Sequence, residues 1–385
     1  MPINKIKIKN YKSLEDFSLI LRDFMVFVGP NNSGKTNIMD CFQFLGELVS
    51  FGLRPPTIER GGFDQIVFNC DVARIITFDI EGYVKLGHEK HSFRYVLELS
   101  GDGYGNSFNN KECFYVLEVD RERKHLEYTR EGGMATVWDE KGKMIGQGGA
   151  GYDKSYLTSF TEKDRYPILA QFTTEVRNWS FFNLLPPEMR SAFPVKRELR
   201  LDAFGKNLAV VLHNLQTSYA KNFREIEEIL RAAIPEIDEL ATPLTAHEAG
   251  QTYISLREKN IQSPISSSGI SDGTLRLIGY LAIIYGPDPP PLICFEEPEN
   301  YIHPRLLQLL IDILRKASHK SQVFVTTHSP LLVDSLKDPL ALFIVEKNLG
   351  RTRVRNAADK RGIKESLKKL GLGEMWYSGD LGGVP

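Results

Sequence analysis

A run of glycines, small polar residues and one lysine has the chemistry needed to hold phosphate. The sequence GPNNSGKT, from Gly29 to Thr36, fits the pattern G-x-x-x-x-G-K-[ST]. Glycine allows the backbone to approach a ligand closely, and the loop N–H groups together with the start of the next helix favour an anion. Lys35 is expected to reach the outer phosphates, and the Thr36 hydroxyl to hold Mg²⁺. The predicted ATP-binding residues of this loop are Gly29, Pro30, Asn31, Asn32, Ser33, Gly34, Lys35, Thr36 and Asn37.

Two adjacent glutamates supply the acidic groups that phosphate chemistry would need. Glu296 and Glu297 follow the apolar run LICF, so a buried strand is expected to deliver them at its carboxyl end. If the chain stays extended there, the two side chains point in opposite directions. We assign Glu296 to the metal and Glu297 to the general base. The alternative is a charged strand end with solvated carboxylates.

Two further stretches carry polar groups whose roles stay open on residue types alone. His328 ends the apolar run VFVTT, where a neutral imidazole can donate a hydrogen bond to a phosphate oxygen, although a lone histidine is more often a packed or solvated residue. Ser271 precedes a helical pattern and is expected to cap it, with Thr274 three residues on. The same serine, with the backbone of Gly273, is alternatively a second anion site.

The elements that must position these groups alternate between strand and helix at both ends of the chain. FMVFVG predicts a strand before the phosphate loop and TNIMDCFQFL a helix after it. Strand-like runs between about Ala73 and Met144 predict an antiparallel meander, whereas the region from Gly146 to Arg200 gives a mixed pattern. The run NLAVVLHNLQTSYAKNFREIEEILRAAI predicts two helices, and the apolar run GTLRLIGYLAIIY another.

Composition sets limits on the class of protein. The chain has 385 residues, 42% hydrophobic, with a formal net charge of −1, so whole-chain charge does not point to nucleic acid. The apolar runs are too short for a membrane span and the N-terminal sequence lacks a signal-peptide core, so a cytoplasmic location and no membrane partner are expected. The scattered cysteines argue against a zinc site or a disulfide framework; they are Cys41, Cys70, Cys113 and Cys294.

Taken together and in order, the motifs GPNNSGKTN, SDGTLRL, EEPEN with a following HP, and TTHSP resemble the ATPase heads of the ABC class. Within that class they resemble the RecF, SMC and OLD (overcoming lysogenization defect) branch, of which the opening IKNYKSLEDFSLIL is also typical. The resemblance covers most of the chain and is weak between about Gly146 and Arg200. It implies an α/β fold with a parallel-sheet phosphate-loop core, an antiparallel β subdomain and a helical insertion.

The resemblance also implies roles for individual residues. Ser271 and Gly273 would belong to a signature motif that acts in trans on ATP held by a second subunit, and His328 would be the switch histidine. The stretch PENYIHP would contact the partner in a dimer. One departure is that Glu296 stands where the family usually has aspartate. The glutamine of the family's glutamine loop is not placed securely; Gln65 and Gln171 are weak candidates that are alternatively surface glutamines.

On this basis we expect four segments. Residues 1–72 form the N-terminal part of the ATPase core, 73–200 the meander and an irregular segment, 201–250 a helical insertion, and 251–385 the C-terminal part of the core with the signature, acidic and histidine motifs. No heptad array separates Thr36 from Ser271, which excludes a long-armed SMC machine. Because no D-x-D pair follows Glu346, we expect that no Toprim nuclease domain is present.

The leading hypothesis is a dimeric or higher-order OLD-like ATPase, using ATP and Mg²⁺, that controls a separately encoded effector. The effector would be a Toprim-like nuclease or a toxin, in prokaryotic defence against phage. One alternative is a RecF-like DNA-repair ATPase that binds duplex DNA, against which near-neutral charge weighs mildly. Another is a scaffold that assembles on ATP and hydrolyses it slowly.

Overall fold

The computed structural model describes residues 3–118, 121–129, 133–139, 142–149, 151, 153, 155–159, 165–245 and 250–383. The chain divides into two units whose segments interleave along the sequence. Unit 1 comprises Met1–Trp179, Phe343–Asp359 and Gly383–Pro385, and unit 2 comprises Ser180–Leu342 and Lys360–Gly382. The phosphate loop therefore belongs to unit 1, whereas Ser271, the paired glutamates and His328 belong to unit 2.

The strands are numbered in chain order. They are β1 (Ile3–Tyr11), β2 (Leu14–Ile20), β3 (Phe24–Val28), β4 (Ile76–Leu86), β5 (Glu89–Gly101), β6 (Ser107–Glu118), β7 (Arg121–Thr129), β8 (Met134–Trp138), β9 (Met144–Gly149), β10 (Ser180–Phe182), β11 (Phe193–Pro194), β12 (Ile237–Ala241), β13 (Gln251–Thr252), β14 (Ser255–Glu258), β15 (Ile265–Ser266), β16 (Leu292–Glu296), β17 (Gln322–Thr327), β18 (Leu342–Asn348) and β19 (Arg351–Asn356).

The α-helices are numbered in the same way. They are α1 (Lys35–Phe51), α2 (Arg54–Glu59), α3 (Phe63–Ile66), α4 (Pro167–Arg177), α5 (Pro186–Met189), α6 (Leu208–Ser218), α7 (Ala220–Ala233), α8 (Asp272–Ile284), α9 (Leu307–Ala317), α10 (Pro330–Asp334), α11 (Ile363–Ser366) and α12 (Leu372–Tyr377).

Unit 1 contains a long antiparallel sheet with the order β2-β1-β4-β5-β6-β7-β8-β9. Strands β1 and β4 alternate between buried and solvent-facing residues, as expected for a sheet with one face on the core. The ring of Phe78 on β4 lies 5.4 Å from that of Tyr11 and 6.0 Å from that of Phe44, centroid to centroid, so α1 packs on this sheet. The antiparallel meander predicted between Ala73 and Met144 is confirmed.

Unit 1 also contains the strand that leads into the phosphate loop and a late hairpin. All residues of β3 are buried, which explains the continuous apolar run Phe24–Val28. Strands β18 and β19 pair antiparallel, with Val345 opposite Val354 and Lys347 opposite Thr352. The rings of Phe27 on β3 and Phe343 on β18 lie 5.6 Å apart, so the hairpin packs beside the strand before the loop.

Unit 2 contains the parallel strands β10, β16 and β17, in that order, with helices around them. Cys294 on β16 pairs in register with Phe181 and Phe324 on its two neighbours. The ring of Tyr280 on α8 meets that of Phe295 edge-on at 5.4 Å, which seats α8 on the strand that delivers the paired glutamates.

The fold is of the α/β class, as the sequence predicted. The two helices expected after residue 201 are α6 and α7, and the apolar run near residue 280 is α8. Strands β12, β14 and β15 form a small antiparallel sheet, and β11 pairs with β13. Among the described residues, none of the helices is both long enough and apolar enough to cross a membrane.

Candidate functional site

The phosphate loop joins β3 to α1, as its sequence context predicted. Gly34, the residue before the helix, has a φ of 104° and a ψ of 12°, a left-handed conformation that glycine adopts without strain. Asn32 also has a positive φ, of 62°, which asparagine tolerates better than most residues. The helix that follows is 17 residues long, so its start carries the partial positive charge of a well-formed helix.

Lys35 is folded into the loop. Only 5% of its surface is exposed, and its ammonium donates hydrogen bonds to the carbonyl oxygens of Gly29 at 2.7 Å and Pro30 at 2.9 Å. The hydroxyl of Ser33 lies 3.4 Å away. Because a buried ammonium must be compensated, these carbonyls hold the lysine within the loop, where it can exchange weak neutral partners for a phosphate anion.

Both loop glycines are required by close packing. A Cβ atom on Gly29 would lie 2.1 Å from the carbonyl oxygen of Val345, and one on Gly34 would lie 1.9 Å from the hydroxyl of Thr352. Any larger residue would therefore displace either the loop or the β18–β19 hairpin. Both glycines of the pattern G-x-x-x-x-G therefore pack against a hairpin that lies more than 300 residues later in the sequence.

The remaining predicted loop residues differ in exposure. The side chains of Asn31 and Thr36 are exposed, and that of Ser33 is buried. Asn32 accepts a hydrogen bond from the Lys347 ammonium at 3.3 Å. Asn37 donates to the Ser13 hydroxyl at 2.6 Å. A hydroxyl exposed at the start of α1, as in Thr36, suits a metal ligand.

The paired glutamates mark the end of β16, and the second leaves the strand geometry. Glu296 is the last residue of β16, but Glu297 has a φ of 42°. The expectation of an extended chain across both residues is therefore wrong at Glu297. A left-handed backbone is costly for a non-glycine residue, and such strain is found mostly where the surroundings enforce it.

Three side chains surround Glu297 in unit 2. Asn300 donates to one of its carboxylate oxygens at 2.8 Å, and His328 Nε2 lies 3.7 Å from the other. Arg276 on α8 donates to the main-chain carbonyl of Glu297 at 3.0 Å. The carboxylate thus has a neutral amide and an imidazole beside it. Within the described residues no lysine or arginine forms an ion pair with it, an arrangement that suits a general base.

Arg276 is buried although it carries a charge. Only 2% of its surface is exposed, and besides the Glu297 carbonyl it donates to the Tyr280 hydroxyl at 2.7 Å. That hydroxyl in turn donates to the Pro298 carbonyl at 3.1 Å. Arginine and tyrosine therefore attach helix α8 to the backbone on both sides of the Glu297–Pro298 bond.

Glu299 is a residue of this turn that sequence reasoning did not single out. Thr327 donates its hydroxyl to Glu299 Oε1 at 2.5 Å, and the His328 amide donates to the same oxygen at 3.4 Å. Burial raises the pKa of Glu299, and the hydrogen bond from Thr327 opposes that rise. Its other oxygen, Oε2, is buried and makes no hydrogen bond within the described residues. The signal available in the sequence was a third carboxylate two positions after the expected base.

The start of α8 has the cap that was predicted. The Ser271 hydroxyl accepts a hydrogen bond from the Thr274 amide at 3.2 Å. Arg190 binds the Asp272 carboxylate at 2.5 Å and also the Ser267 carbonyl, which fixes the segment before the helix. A Cβ atom on Gly273 would lie 2.4 Å from the Tyr301 carbonyl, so glycine is needed there. These contacts give both Ser271 and Gly273 a structural role.

Within the described residues, both candidates for the glutamine loop donate their side-chain hydrogen bonds to nearby residues. Gln65 on α3 donates to its neighbour Asp64, and Gln171 donates to Glu175 within α4, both at 2.8 Å. Each therefore behaves in this respect as an ordinary surface or helix glutamine, and the glutamine-loop assignment stays a prediction.

Comparison with solved structures identifies the fold class. An SMC head bound to the C-terminal winged-helix domain of ScpA matches with a TM-score of 0.56 and 15% identity, over 96% of this chain and 100% of that one. An SMC head with an extended coiled coil, bound to the C-terminal domain of ScpA derived from Pyrococcus furiosus, matches with a TM-score of 0.54 and 14% identity, over 95% and 99%. The chain has the fold of an ABC-type ATPase head.

Two family models cover much of the sequence between them. One, described as "AAA ATPase domain", matches residues 1–85, and the other, described as "AAA domain, putative AbiEii toxin, Type IV TA system", matches residues 167–334. The first includes the phosphate loop, and the second includes the signature, acidic and histidine motifs of unit 2.

Curated relatives indicate which ABC-class ATPases the sequence resembles. An OLD nuclease of Thermus scotoductus (strain ATCC 700910 / SA-01) is 23% identical over 350 residues, 86% of this chain and 60% of the relative. The Old nuclease of Escherichia phage P2 is 22% identical over 397 residues, 94% and 62%. The DNA replication and repair protein RecF of Haemophilus ducreyi (strain 35000HP / ATCC 700724) is 25% identical over 248 residues, 62% and 59%. The chain is thus similar to ABC-class ATPases of the RecF, SMC and OLD type. It spans 59–62% of the length of these relatives.

Proposed function

We propose that this protein binds ATP at the phosphate loop and hydrolyses it. The observation that carries the proposal is the loop itself: a buried Lys35 held by carbonyls, left-handed Gly34 and an exposed Thr36 at the start of a long helix. This cradle fits the phosphates of a nucleotide, because it offers a cation, a helix start and backbone that no side chain obstructs.

The proposed chemistry assigns one role to each residue. Lys35 and the loop amides bind the phosphates, and Thr36 and Glu296 would hold Mg²⁺, which neutralises charge on the phosphates when bound. Glu297 accepts the proton of the attacking water, and His328 hydrogen-bonds a phosphate oxygen. The order of the motifs along the sequence and the family assignment support this division of roles.

Calorimetry and a phosphate-release assay test the proposal directly. The purified chain is expected to bind ATP and to release phosphate only when Mg²⁺ is present. A chain that shows no heat of ATP binding under either condition would contradict the proposed site. A chain that binds ATP yet releases no phosphate on its own or with DNA would favour the scaffold hypothesis.

We further propose that two subunits share each ATP, with Ser271 and Gly273 of one chain facing ATP bound to the other. The support is the family resemblance and the loop nature of the segment at the α8 start. Ser271→Arg is then expected to bind ATP and fail to hydrolyse it. Mixing Ser271→Arg with Lys35→Ala should restore some activity, because one composite site of each heterodimer carries neither defect. Full activity of Ser271→Arg alone would rule out the shared site.

The biological role proposed for this ATPase is control of a separate effector, either a Toprim-like nuclease or a toxin, in defence against phage. The similarity to two OLD nucleases supports an OLD-like role, and ATP-driven closure and opening of a dimer needs a second molecule on which to act. Genes beside this one test the idea. A co-transcribed nuclease whose cleavage changes on adding this chain and ATP is the expected result; neighbouring replication and recombination genes would contradict it.

The similarity to RecF favours one second candidate, an ATPase that binds duplex DNA during repair. Under this hypothesis, duplex DNA should stimulate phosphate release, and the stimulation should weaken as salt rises, since contacts with DNA phosphates are salt-dependent. Turnover that is unchanged by duplex DNA at low salt would remove this candidate.

A further inference from the structure

A buried chain of hydrogen bonds connects the β18–β19 hairpin to the phosphate loop. The Thr352 hydroxyl donates to the Ser33 carbonyl at 3.1 Å and lies 2.7 Å from the Ser13 hydroxyl. Asn37 on α1 donates to the Ser13 hydroxyl at 2.6 Å. The segment around Ser13, the phosphate loop and the distant β18–β19 hairpin thus meet at one side of the loop, all within unit 1.

The direction of each hydrogen bond in this network follows from the number of hydrogens that each hydroxyl can donate. Each hydroxyl has one hydrogen to donate. Thr352 donates its one hydroxyl hydrogen to the Ser33 carbonyl. The Ser13 hydroxyl must therefore donate to the Thr352 hydroxyl oxygen, and the Ser13 oxygen accepts from Asn37. The Asn37 amide thus donates to Ser13, Ser13 donates to Thr352, and Thr352 donates to the Ser33 carbonyl. The backbone adds a bond from the Thr352 amide to the Ser13 carbonyl at 2.9 Å.

Burial makes this chain sensitive to the loss of a link. Ser13, Ser33 and Thr352 are all buried. In such surroundings a hydrogen bond is stronger than in water, and a polar group deprived of its partner costs more than the bond was worth. Removing the Thr352 hydroxyl would leave both the Ser33 carbonyl and the Ser13 hydroxyl without this contact.

The chain also sets the orientation of one loop peptide. The carbonyl of Ser33 belongs to the same peptide plane as the N–H of Gly34, and in a trans peptide the two point in opposite directions. Fixing the Ser33 carbonyl on Thr352 therefore turns the Gly34 N–H away from the hairpin. Thr352 also packs against Gly34, where a Cβ atom would lie 1.9 Å from its hydroxyl oxygen, so the peptide has little room to rotate.

We propose that Thr352 is a positioning residue for the phosphate loop: its hydroxyl orients the Ser33–Gly34 peptide so that the Gly34 N–H is set in place to meet a nucleotide phosphate. This inference rests on the proposed function, since it concerns how the same loop binds ATP. The hairpin is thereby part of the nucleotide-binding apparatus, although Thr352 makes no contact with ATP itself.

Two substitutions separate the hydroxyl from the shape of the side chain. Thr352→Val keeps the branched shape and loses the hydroxyl, and Thr352→Ser keeps the hydroxyl and loses a methyl group. In calorimetry, Thr352→Val should weaken ATP binding about tenfold, whereas Thr352→Ser should stay close to wild type. Recovery by serine is the result that a merely space-filling role would not give.

A matched control removes a buried threonine hydroxyl elsewhere. Thr252 is fully buried in unit 2, and its hydroxyl oxygen lies 3.1 Å from the carbonyl oxygens of both Thr242 and Pro243, which compete for its one hydrogen. Thr252→Val should lower the melting temperature without changing ATP affinity. A second test of the chain is Ser13→Ala, which removes the preceding donor and should weaken ATP binding less than additively with Thr352→Val, because both act on one network.

The outcomes are distinguishable. Wild-type ATP affinity for Thr352→Val would overturn the inference, and so would equal losses for Thr352→Val and Thr352→Ser, since the hydroxyl would then not be the cause. If Thr352→Val does not fold, an unchanged ATP affinity for Ser13→Ala overturns it instead. Absence of ATP binding by the wild-type chain itself marks failure of the proposed function rather than of the hairpin link alone.

Discussion

The phosphate loop in unit 1 and the acidic turn in unit 2 are held in different ways. Lys35 is 5% exposed and is fixed by main-chain carbonyls, with two glycines packed against a hairpin. The Glu297 side chain is 42% exposed, and His328 from another segment and Asn300 from the same turn lie beside its carboxylate. The residue proposed to bind phosphate is thus pre-organised by backbone, and the residue proposed for catalysis depends on neighbouring side chains and a left-handed backbone. Binding and turnover should therefore be separable by substitution.

The largest effect is expected from Lys35→Ala. The substitution removes the ammonium that the loop carbonyls hold, so ATP binding in calorimetry should fall below detection. Lys85→Ala, at an exposed position of β4, is the matched control and should bind ATP as the wild type does. Unchanged affinity of Lys35→Ala would break the comparison, because the loop would then not be the binding element.

Glu297→Gln should separate turnover from binding. The amide keeps the shape of the carboxylate and cannot accept a proton in the same way, so phosphate release should fall about 10²- to 10⁴-fold while ATP affinity stays near wild type. Glu296→Gln is the comparison variant. Normal turnover of Glu297→Gln together with inactivity of Glu296→Gln would reverse the roles assigned to the two residues.

Arg276→Met tests whether the acidic turn is held by side chains. The variant removes the guanidinium that donates to the Glu297 carbonyl at 3.0 Å and leaves that carbonyl with the Asn300 main-chain amide, which donates at 3.1 Å. Phosphate release should fall roughly tenfold without loss of ATP affinity. Arg315, which donates to the Leu336 carbonyl at 3.0 Å, offers the control Arg315→Met, for which turnover should not change. If both variants hydrolyse ATP equally well, the backbone alone positions Glu297.

The smallest effect concerns stability alone. Burial raises the pKa of Glu299, so its protonated form is favoured by folding. The resulting stabilisation is complete below the ordinary glutamate pKa of about 4.3 and is lost as the pH rises through the raised pKa of the folded chain. Glu299→Gln cannot ionise and escapes this loss. The melting temperature of Glu299→Gln minus that of the wild type should therefore increase as the pH rises from acid to neutral.

Melting curves across pH check this prediction. The gap between Glu299→Gln and wild type should be smallest at the lowest pH at which both fold. A gap that stays constant across the pH range would mean that Glu299 has the same pKa in the folded and the unfolded chain.

The sequence predicted the elements whose signals are local. A buried strand, a glycine-rich turn and an amphipathic helix are adjacent around Lys35, and an apolar run leads directly to Glu296. The cap at Ser271 was predictable for the same reason, since its partner Thr274 is three residues away.

The remainder depends on segments that meet only after folding. Thr352 and Ser33 are 319 positions apart, and the residue types of the two segments do not predict their contact. Thr327, which donates to Glu299, and the Glu297 carbonyl, which accepts from Arg276, likewise belong to other segments than their partners. The positive φ of Glu297 is not predictable from residue type, because glycine and asparagine are the residues that signal such a conformation. The shared ATP site and the effector stay predictions.

The position of the hairpin also bears on how the protein is made. Ribosomes synthesise the chain from the N-terminus, at about 5–20 residues per second. The phosphate loop therefore leaves the ribosome long before Val345 and Thr352, against which its glycines pack. A nascent chain that has not yet reached the hairpin should lack the finished loop and so bind ATP poorly. We therefore expect nucleotide binding to begin only after the residues assigned to hydrolysis have also been synthesised.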